Sequence, residues 1–268
     1  MNKHDKQGTA LITGASTGIG AAYAERLAQR GFDLLLVARD QARLNNVAAR
    51  LRAETGVGVE TLRADLTVAA DVAKVAQRLS SDPAISMLVN NAGVAVSTSL
   101  LDSNPDALEN MISLNVLAVT RLAVAAAAAF ARRERGTLIN VASALALAPE
   151  LFNGAYSGTK AYVLNLTQAL QQELAPKGLR VQAVLPGATR TELWARAGVD
   201  LANLPSEIVM DVHEMVDAAL VGLDLGETVT IPSLPEIGDW NTLNSTRLSL
   251  TPRISLKHAA SRYGRAAS

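Results

Sequence analysis

Tyr156 and Lys160 are the side chains whose types and spacing could carry out acid–base chemistry in this sequence. The residues from Tyr156 to Glu173 are predicted to be helical, and side chains four positions apart lie on one face of a helix. A fixed cation beside a phenol favours the phenolate, so we expect Lys160 to lower the pKa of Tyr156 from its ordinary value of about 10. Such a tyrosine could give a proton to a carbonyl oxygen or take one from an alcohol. A surface Tyr and Lys on an amphipathic helix would produce the same pattern.

A glycine-rich turn near the amino terminus has the context of a phosphate-binding loop. The apolar run 9–13 is predicted to be a short buried strand, and an alanine-rich helix follows the turn to about Arg30. Backbone amides at a strand–turn–helix junction bind phosphate groups well. The glycine spacing is G-x-x-x-G-x-G rather than the common G-x-G-x-x-G, and a purely structural turn is the alternative. The predicted cofactor contacts in this turn are Gly14, Ser16, Thr17, Gly18, Ile19 and Gly20.

The residue after the second predicted strand indicates which dinucleotide would bind. The strand 33–38 has an apolar centre, as expected in a parallel sheet covered on both faces, and Arg39 follows it. In a nucleotide-binding fold an acid at this place binds the ribose 2′-hydroxyl, whereas an arginine accommodates a 2′-phosphate. Arg39 therefore favours NADP(H) over NAD(H), and Arg43 could add charge near the same phosphate. Asp40 is predicted to cap the next helix. A solvated loop arginine is the alternative interpretation of Arg39.

Further residues follow the other predicted strands at their carboxyl ends, where ligands bind in open α/β sheets. Small residues at such places let the backbone touch a ligand. Asp65 could instead cap the helix 68–80. The predicted site residues are Asp65 and Leu66 after the third strand, Asn91, Ala92 and Gly93 after the fourth, Ser143 after the fifth, and Pro186, Gly187 and Thr191 after the sixth.

Composition narrows the function classes. The chain has 268 residues, of which 49% are hydrophobic and 19% charged, and its 25 basic residues balance 25 acidic ones. Neither a nucleic-acid partner nor an anionic membrane surface is indicated. The absence of cysteine excludes disulfides, thiolate nucleophiles and zinc–thiolate sites, and no metal site is predicted. The longest apolar run, 122–131, is far shorter than a membrane span, so we expect a cytoplasmic protein.

Strands and helices alternate along the chain, which predicts an α/β fold with one doubly wound sheet. We expect seven mostly parallel strands with helices on both faces. The prediction is a single domain over 1–268, with a substrate loop at about 189–205 and a C-terminal extension at about 232–268. The loop is expected to be irregular, and the extension to hold a short helix and an extended arm.

Together the motifs resemble the short-chain dehydrogenase/reductase family in its compact single-domain, Rossmann-type form. The resemblance covers about Thr9 to Ile231, with the motifs in the family's order. The run 13–20 is similar to the family's cofactor turn, and the run 90–93 to its motif after the fourth strand. Pro186 and Gly187 with Thr191 resemble the segment that holds the nicotinamide amide. The residues that fall where the family keeps its catalytic four are Asn115, Ser143, Tyr156 and Lys160.

The resemblance implies hydride transfer between a nicotinamide cofactor and a carbonyl or alcohol. Ser143 and Tyr156 would hydrogen-bond the carbonyl oxygen in the manner of an oxyanion hole, and Tyr156 would supply the proton. Lys160 would lower the pKa of Tyr156 and bond the nicotinamide ribose, so both residues also count as cofactor contacts. Asn115 would hold a water that passes protons to Lys160. That role predicts a local break in the long helix 105–133; a tolerated surface asparagine is the alternative.

Two departures from the family pattern concern Gly158 and Thr17. Gly158 lies inside the Tyr156 helix, where glycine costs up to ~1 kcal/mol relative to alanine, and close packing against a neighbour would explain it. Some NADP-using relatives have a basic residue at the position of Thr17, so the 2′-phosphate prediction depends mainly on Arg39.

The substrate pocket is expected between the segment 145–152 and the stretch after Thr191. Its apolar candidates suggest a carbonyl or alcohol on a hydrophobic body, although they could equally form core or a subunit contact. They are Leu145, Leu147, Leu151, Phe152, Leu193 and Trp194. Because many members of the family pair these helices, we expect a homodimer or homotetramer through the helix 105–133 and the Tyr156 helix. A monomer, in which the polar C-terminal extension covers that surface, is the alternative. The alternative functions are an NAD-dependent alcohol dehydrogenase and a non-catalytic NADP(H) sensor on the same fold.

Overall fold

A computed structural model of the protein describes residues 7–264 and contains one seven-stranded sheet. The pairings between neighbouring strands are parallel, and the order is β3-β2-β1-β4-β5-β6-β7. This is the doubly wound α/β arrangement that the sequence predicts. The strands are β1 (Thr9–Thr13), β2 (Asp33–Ala38), β3 (Val59–Arg63), β4 (Ile85–Asn90), β5 (Thr137–Val141), β6 (Arg180–Val184) and β7 (Val229–Thr230).

Helices cover both faces of the sheet, as predicted. One apolar cluster joins helices α1, α2 and α8 to one face, and a second joins α3, α5 and α6 to the other. Side chains from the central strands alternate between the two clusters, which explains their continuous apolar sequences. The helices are α1 (Gly18–Gln29), α2 (Gln41–Thr55), α3 (Ala69–Ser81), α4 (Pro105–Ile112), α5 (Val119–Arg133), α6 (Gly154–Leu174), α7 (Glu192–Arg196), α8 (Val212–Asp224) and α9 (Ile237–Ser249).

The sequence pattern predicts the two edge strands at 57–62 and 227–231; in the structure β3 is shifted and β7 is shorter. The chain before β3 first turns through Gly56 with φ of 73°, and the Gly58 N–H then donates to Asp33 Oδ1 at 2.7 Å, so strand pairing begins at Val59. Near β7, the N–H of Glu227 closes the turn after α8 on the Gly222 carbonyl, and only Val229 and Thr230 pair with β6. Local turn geometry therefore sets both boundaries.

The long helix predicted over 105–133 is interrupted at its centre. Residues Ser113–Ala118 form a π-helical segment between α4 and α5, with buried Asn115 inside it. A π-segment carries an extra residue in the helical turn and is often found at functional sites. The predicted local break is confirmed.

The whole stretch Pro105–Arg133 is long and apolar enough to cross a membrane by length and composition alone. The sequence interpretation considered only the shorter run 122–131 and did not detect this. Half of the apolar window is buried inside the fold, which is also the property of a core helix.

The segment after β6 is more ordered than the irregular stretch that the sequence predicts. It contains α7 and two short 3-10 turns, Leu201–Asn203 and Ser206–Ile208. Asp200 caps the first of these turns by accepting from Ala202 N–H at 2.9 Å. Local capping thus organises the predicted substrate loop.

By its internal contacts the chain divides into two compact units, Met1–Pro232 and Ser233–Ser268. The first contains the sheet and its helical layers. The second contains α9, which corresponds to the short helix expected in the C-terminal extension, and short 3-10 turns at Thr251–Arg253 and Ser261–Tyr263. The domain organisation stays a prediction.

Gly158 is not explained by close packing. A methyl group added there would meet nothing within 4 Å among the described residues, and the position is exposed on α6. We therefore expect Gly158→Ala to raise the free energy of unfolding by about 0.5–1 kcal/mol, because alanine loses less backbone entropy on forming a helix. Urea unfolding measures the change.

The matched control is Gly222→Ala in α8. A methyl there would overlap the Thr230 hydroxyl, so this variant should be less stable than the parent protein. Equal changes in the free energy of unfolding for the two variants would contradict the conclusion that Gly158 has room for a methyl group and Gly222 does not.

Candidate active site

A cleft of about 360 Å³ opens at the carboxyl ends of the strands, at the place where strand order reverses between β1 and β4. Such a switch point is the ordinary ligand site of a doubly wound sheet. Every predicted cofactor residue except Gly20 lines the cleft. Those residues are Gly14, Ser16, Thr17, Gly18, Ile19, Arg39, Asp65, Leu66, Asn91, Ala92, Gly93, Tyr156, Lys160, Pro186, Gly187 and Thr191.

The glycine turn leaves room and backbone donors for a phosphate group. Gly14 and Gly18 have φ of 66° and 55°, a left-handed conformation that favours glycine. Thr17 occupies the N-cap of α1 but makes no side-chain cap bond, so the first N–H groups of the helix are not taken by that side chain. The residues present therefore fit a dinucleotide pyrophosphate.

Gly20 lies against the back of the glycine turn, on the side away from the cleft. A methyl group at this position would overlap the carbonyl oxygen of Gly14 and lie 2.6 Å from Asn91 Nδ2. Gly20 thus permits α1 to pack closely against the turn. Gly20 is not among the residues that line the cleft, and its assignment as a cofactor contact stays a prediction.

Thr13 and Asn91 fix the two strands that form the switch point. Thr13 Oγ1 accepts hydrogen bonds from the N–H groups of Asn91 and Ala92 at 2.9 and 3.0 Å. Asn91 Nδ2 donates to the Thr13 carbonyl at 2.9 Å. Thr13 had no predicted role of its own, although a polar residue at the end of an apolar strand, directly before the glycine turn, was the available signal.

The side chain of Asn115 holds the backbone next to the cleft. Its Oδ1 accepts from Val94 N–H at 3.0 Å, and its Nδ2 donates to the Val94 carbonyl at 2.9 Å and to Thr159 Oγ1 at 3.2 Å. Asn115 does not line the cleft. A methyl on Gly93 would lie 3.2 Å from Asn115 Oδ1 and 3.5 Å from Lys160 Nζ, so Gly93 separates the two groups. The role of Asn115 in a water relay stays a prediction.

Ser143, Tyr156 and Lys160 meet on the wall of the cleft, and all three are buried. Lys160 Nζ donates to the Val141 carbonyl at 3.1 Å and lies 5.9 Å from the centroid of the Tyr156 ring. The hydroxyl of Ser143 accepts from Leu145 N–H at 3.2 Å. Strand β5 and helix α6 therefore bring together three of the four residues that the resemblance places in one catalytic group.

The predicted direction of the Tyr156 pKa is wrong for this structure. Burial raises the pKa of Tyr156 to about 12, and a hydrogen bond with Ser143 only partly opposes this effect. Burial also lowers the pKa of Lys160 to about 8. The spacing argument considered the attraction of a cation but not the loss of water around both groups, which favours their neutral forms.

Asn153 holds the start of α6 and was not identified from the sequence. Its Oδ1 accepts from Ala155 N–H at 2.9 Å and Tyr156 N–H at 3.2 Å, which makes it the N-cap. Its Nδ2 donates to the Thr98 carbonyl at 2.7 Å and to Ser103 at 3.1 Å. An asparagine before a helix is a cap signal, so the sequence did contain the information.

The other end of the cleft has the charges expected beside an adenosine. Arg39 and Asp65 both line it. Burial opposes ionisation of Asp65, but hydrogen bonds from the Thr67 hydroxyl and N–H hold its pKa below the usual range. Asp65 therefore stabilises the turn through Thr67 rather than capping α3, whose N-cap is Val68. Asp40 caps α2 as predicted, by accepting from Arg43 N–H at 3.0 Å.

Only part of the predicted substrate pocket lines the cleft. Leu193 and Trp194 do so. Phe152 packs behind, with ring centroids 5.4 Å from Tyr156 and 5.9 Å from Trp194, both edge-to-face. The residues predicted to line the pocket that do not are Leu145, Leu147, Leu151 and Phe152. Leu147 and Leu151 lie in or beside short 3-10 turns that leave them exposed, which hydrophobicity alone does not reveal.

Comparison with known proteins places this geometry in a family. The sequence model of a family described as short chain dehydrogenase matches residues 8–201. A short-chain dehydrogenase from Sphingobium yanoikuyae, solved in complex with NADPH, is 52% identical with a TM-score of 0.93, over 96% of this chain and 99% of that one.

The names of two further relatives include the kind of substrate on which those proteins act. A bulky-bulky ketone specific alcohol dehydrogenase from Comamonas testosteroni is 48% identical, with a TM-score of 0.89, over 96% of this chain and 99% of that one. A very-long-chain 3-oxoacyl-CoA reductase of Danio rerio is 36% identical over 69% of this chain but only 60% of its own length.

The lowered pKa of Lys160 has a consequence for stability. The folded protein disfavours the ammonium, because the pKa is about 8 against an ordinary value of about 10.5. The unfolded chain binds the proton more tightly, so stability rises with pH between these two values. We expect Lys160→Met to raise the free energy of unfolding at pH 7 by about 1–3 kcal/mol. This net value already subtracts the hydrogen bond to the Val141 carbonyl that the substitution removes.

The gain should shrink as the pH rises from about 8 to about 10.5. Urea unfolding without added cofactor, at pH 7 and pH 10, measures both values. Exposed Lys74→Met in α3 is the control and should change little. A Lys160→Met protein less stable than its parent at pH 7 would disprove the argument.

Proposed function

Because the chain belongs to the short-chain dehydrogenase family, we propose that it is an NADP(H)-dependent carbonyl reductase in which Tyr156 is the proton donor. The observation that carries the proposal is the meeting of Ser143, Tyr156 and Lys160 on one wall of the cleft. That wall lies at the carboxyl end of β5, beside Pro186 and Gly187. A reacting carbonyl could therefore lie against the Tyr156 phenol and the Ser143 hydroxyl together.

A nicotinamide cofactor held in the cleft would supply a hydride for the carbonyl carbon. Negative charge then grows on the carbonyl oxygen, and the hydroxyls of Ser143 and Tyr156 hydrogen-bond it. The Tyr156 O–H bond breaks as its proton passes to that oxygen, which gives the alcohol and leaves a phenolate. Lys160 stabilises the phenolate and returns a proton to it. Asn115 keeps the Val94 backbone in place beside this pair.

The burial of Tyr156 favours the reducing direction. With a pKa of about 12, the phenol is protonated at neutral pH and ready to donate. Lys160, with a pKa of about 8, can exchange protons near neutrality. Oxidation of an alcohol would require the phenolate as a base, so this direction should become faster as the pH rises.

The cofactor is NADP(H), since the Sphingobium relative holds NADPH and the cleft of this chain has Arg39 where a 2′-phosphate would lie. For the substrate we favour a ketone with large groups on both sides of the carbonyl, as in the name of the Comamonas relative. Leu193 and Trp194 provide an apolar wall that suits such groups. Homo-oligomer formation and a cytoplasmic location stay predictions.

The proposal is tested by NADPH oxidation with diaryl and aryl-alkyl ketones, small ketones and a 3-oxoacyl thioester. Tyr156→Phe should lower kcat/KM by at least about 100-fold, because general acid catalysis is typically worth a factor of about 10² to 10⁴. The control is Tyr162→Phe, whose phenol lies on the same helix but bonds Thr120 at 2.8 Å. The Tyr162→Phe variant should keep kcat/KM within about twofold of the parent value.

A Tyr156→Phe enzyme with most of its turnover would exclude the mechanism. Preference for the thioester would move the substrate class towards acyl chains. NADPH binding without turnover of any carbonyl would favour a sensor, and turnover of alcohols with NAD⁺ would favour an NAD-dependent dehydrogenase.

Arg39→Asp should weaken NADPH binding by about 10- to 100-fold, because a charge-assisted bond to the phosphate is worth about 1.5–3 kcal/mol. NADH has no 2′-phosphate, so its binding should be unchanged or tighter. Fluorescence titration of the same protein with both nucleotides makes NADH the internal control. Equal losses for the two nucleotides would show that Arg39 does not read the phosphate.

A further inference from the structure

Helix α7 lies beside both ends of the cofactor cleft. Thr191, just before the helix, lines the cleft, and so do four residues of the helix, which are Glu192, Leu193, Trp194 and Arg196. The Thr191 side chain lies against the phosphate turn, since a methyl on Gly18 would be 3.2 Å from Thr191 Cγ2. The same short helix therefore borders the phosphate turn and the carbonyl site.

At the carbonyl end α7 is held by apolar and neutral contacts. The Trp194 ring packs edge-to-face on Phe152, which in turn packs on Tyr156. Trp194 Nε1 also donates to the Thr189 carbonyl at 2.9 Å. The hydroxyl of Ser97, in the segment between β4 and α4, donates to the Ala197 carbonyl. These contacts join α7 to the wall that carries the proton donor.

At the adenosine end an ion pair from Glu192 crosses the cleft mouth, and a second pair, with Arg196 Nη2 at 2.6 Å, stays within α7. Arg43 Nη1, on α2, donates to Glu192 Oε2 at 2.8 Å and to Oε1 at 3.1 Å. The hydrogen bond from Arg43 is also the largest cause of a lowered pKa of Glu192. Both side chains are about half exposed, at 47% and 51%. Exposed pairs are weak and are broken readily by water and salt.

We propose that Glu192 is a positioning residue that clasps α7 to Arg43 across the cofactor cleft, and that this clasp opens when the nucleotide leaves. The proposal goes beyond carbonyl reduction and rests only on the cofactor assignment. Arg43 also lies 3.5 Å from Asp40 through its Nε, so its guanidinium stays near the cleft mouth when Glu192 moves away. The step is a rearrangement of contacts without bond chemistry.

Nucleotide release measures the clasp without turnover. We would follow the loss of NADH or NADPH fluorescence after displacement by excess oxidised cofactor in a stopped-flow instrument. Glu192→Gln should release both nucleotides about two- to fivefold faster, which is the size of effect an exposed ion pair can have. Glu207→Gln, an exposed glutamate just beyond the same segment, is the matched control and should release them at the parent rate.

A double-mutant cycle with NADH isolates the pair from the 2′-phosphate. The effects of Arg43→Gln and Glu192→Gln should be less than additive in the double variant, because both remove the Arg43–Glu192 pair. Each variant also removes one separate contact, to Asp40 or to Arg196, so the single variants need not have equal rates. Additive effects, or a Glu192→Gln rate equal to that of Glu207→Gln, would overturn the proposal. A change confined to NADPH would also overturn it, since Glu192 would then act through the phosphate.

The outcomes separate this proposal from the proposed function. If neither nucleotide bound, the cofactor assignment and the clasp would fail together. If release changed as expected and no carbonyl were reduced, the clasp would stand and carbonyl reduction would fail. Circular dichroism of each variant confirms that the comparison is between folded proteins.

Discussion

The burial of a phenol and an amine beside the carboxyl end of β5 is the constraint on which the site depends. Tyr156 and Lys160 are both almost inaccessible, and their pKa values move in the directions that loss of water dictates. Within residues 7–264, neither group is held by an opposite charge. Their neighbours are neutral donors and acceptors, the Val141 carbonyl and the Ser143 hydroxyl. A site of this kind costs stability until a cofactor and a developing oxyanion use it, which is a common trade at functional sites.

Hydrogen bonds from neutral side chains hold the backbone around this site in place, and no ion pair takes part in them. Asn153 caps the helix that carries Tyr156, and Thr13 ties the ends of β1 and β4. Asn115 sits in the π-segment and binds Val94 through both amide atoms, while Thr159 receives its second N–H. Thr159 in turn donates to the Tyr156 carbonyl at 2.7 Å. The π-helical segment and Tyr156 are thus linked by two hydrogen bonds through Thr159.

Residue patterns predicted the fold and most cleft residues because a parallel sheet collects all strand ends at one edge. A motif placed at a strand end is therefore already placed in space, as with Arg39, Ser143 and Gly93. The pKa of Tyr156 could not be predicted from spacing, since desolvation depends on everything packed around the ring. The exposure of Leu147 and Leu151 could not be predicted for a related reason, since it is set by short 3-10 turns, which have no periodic signal.

The two ends of helix α7 are held by different kinds of contact. Its carbonyl end is attached through aromatic rings, and Phe152 transmits that attachment to Tyr156. These contacts are largely independent of salt. Its adenosine end depends on a hydrated ion pair between Glu192 and Arg43. Opening should therefore begin where the attraction is most easily screened, which leaves the wall of the carbonyl site in place while the nucleotide exchanges.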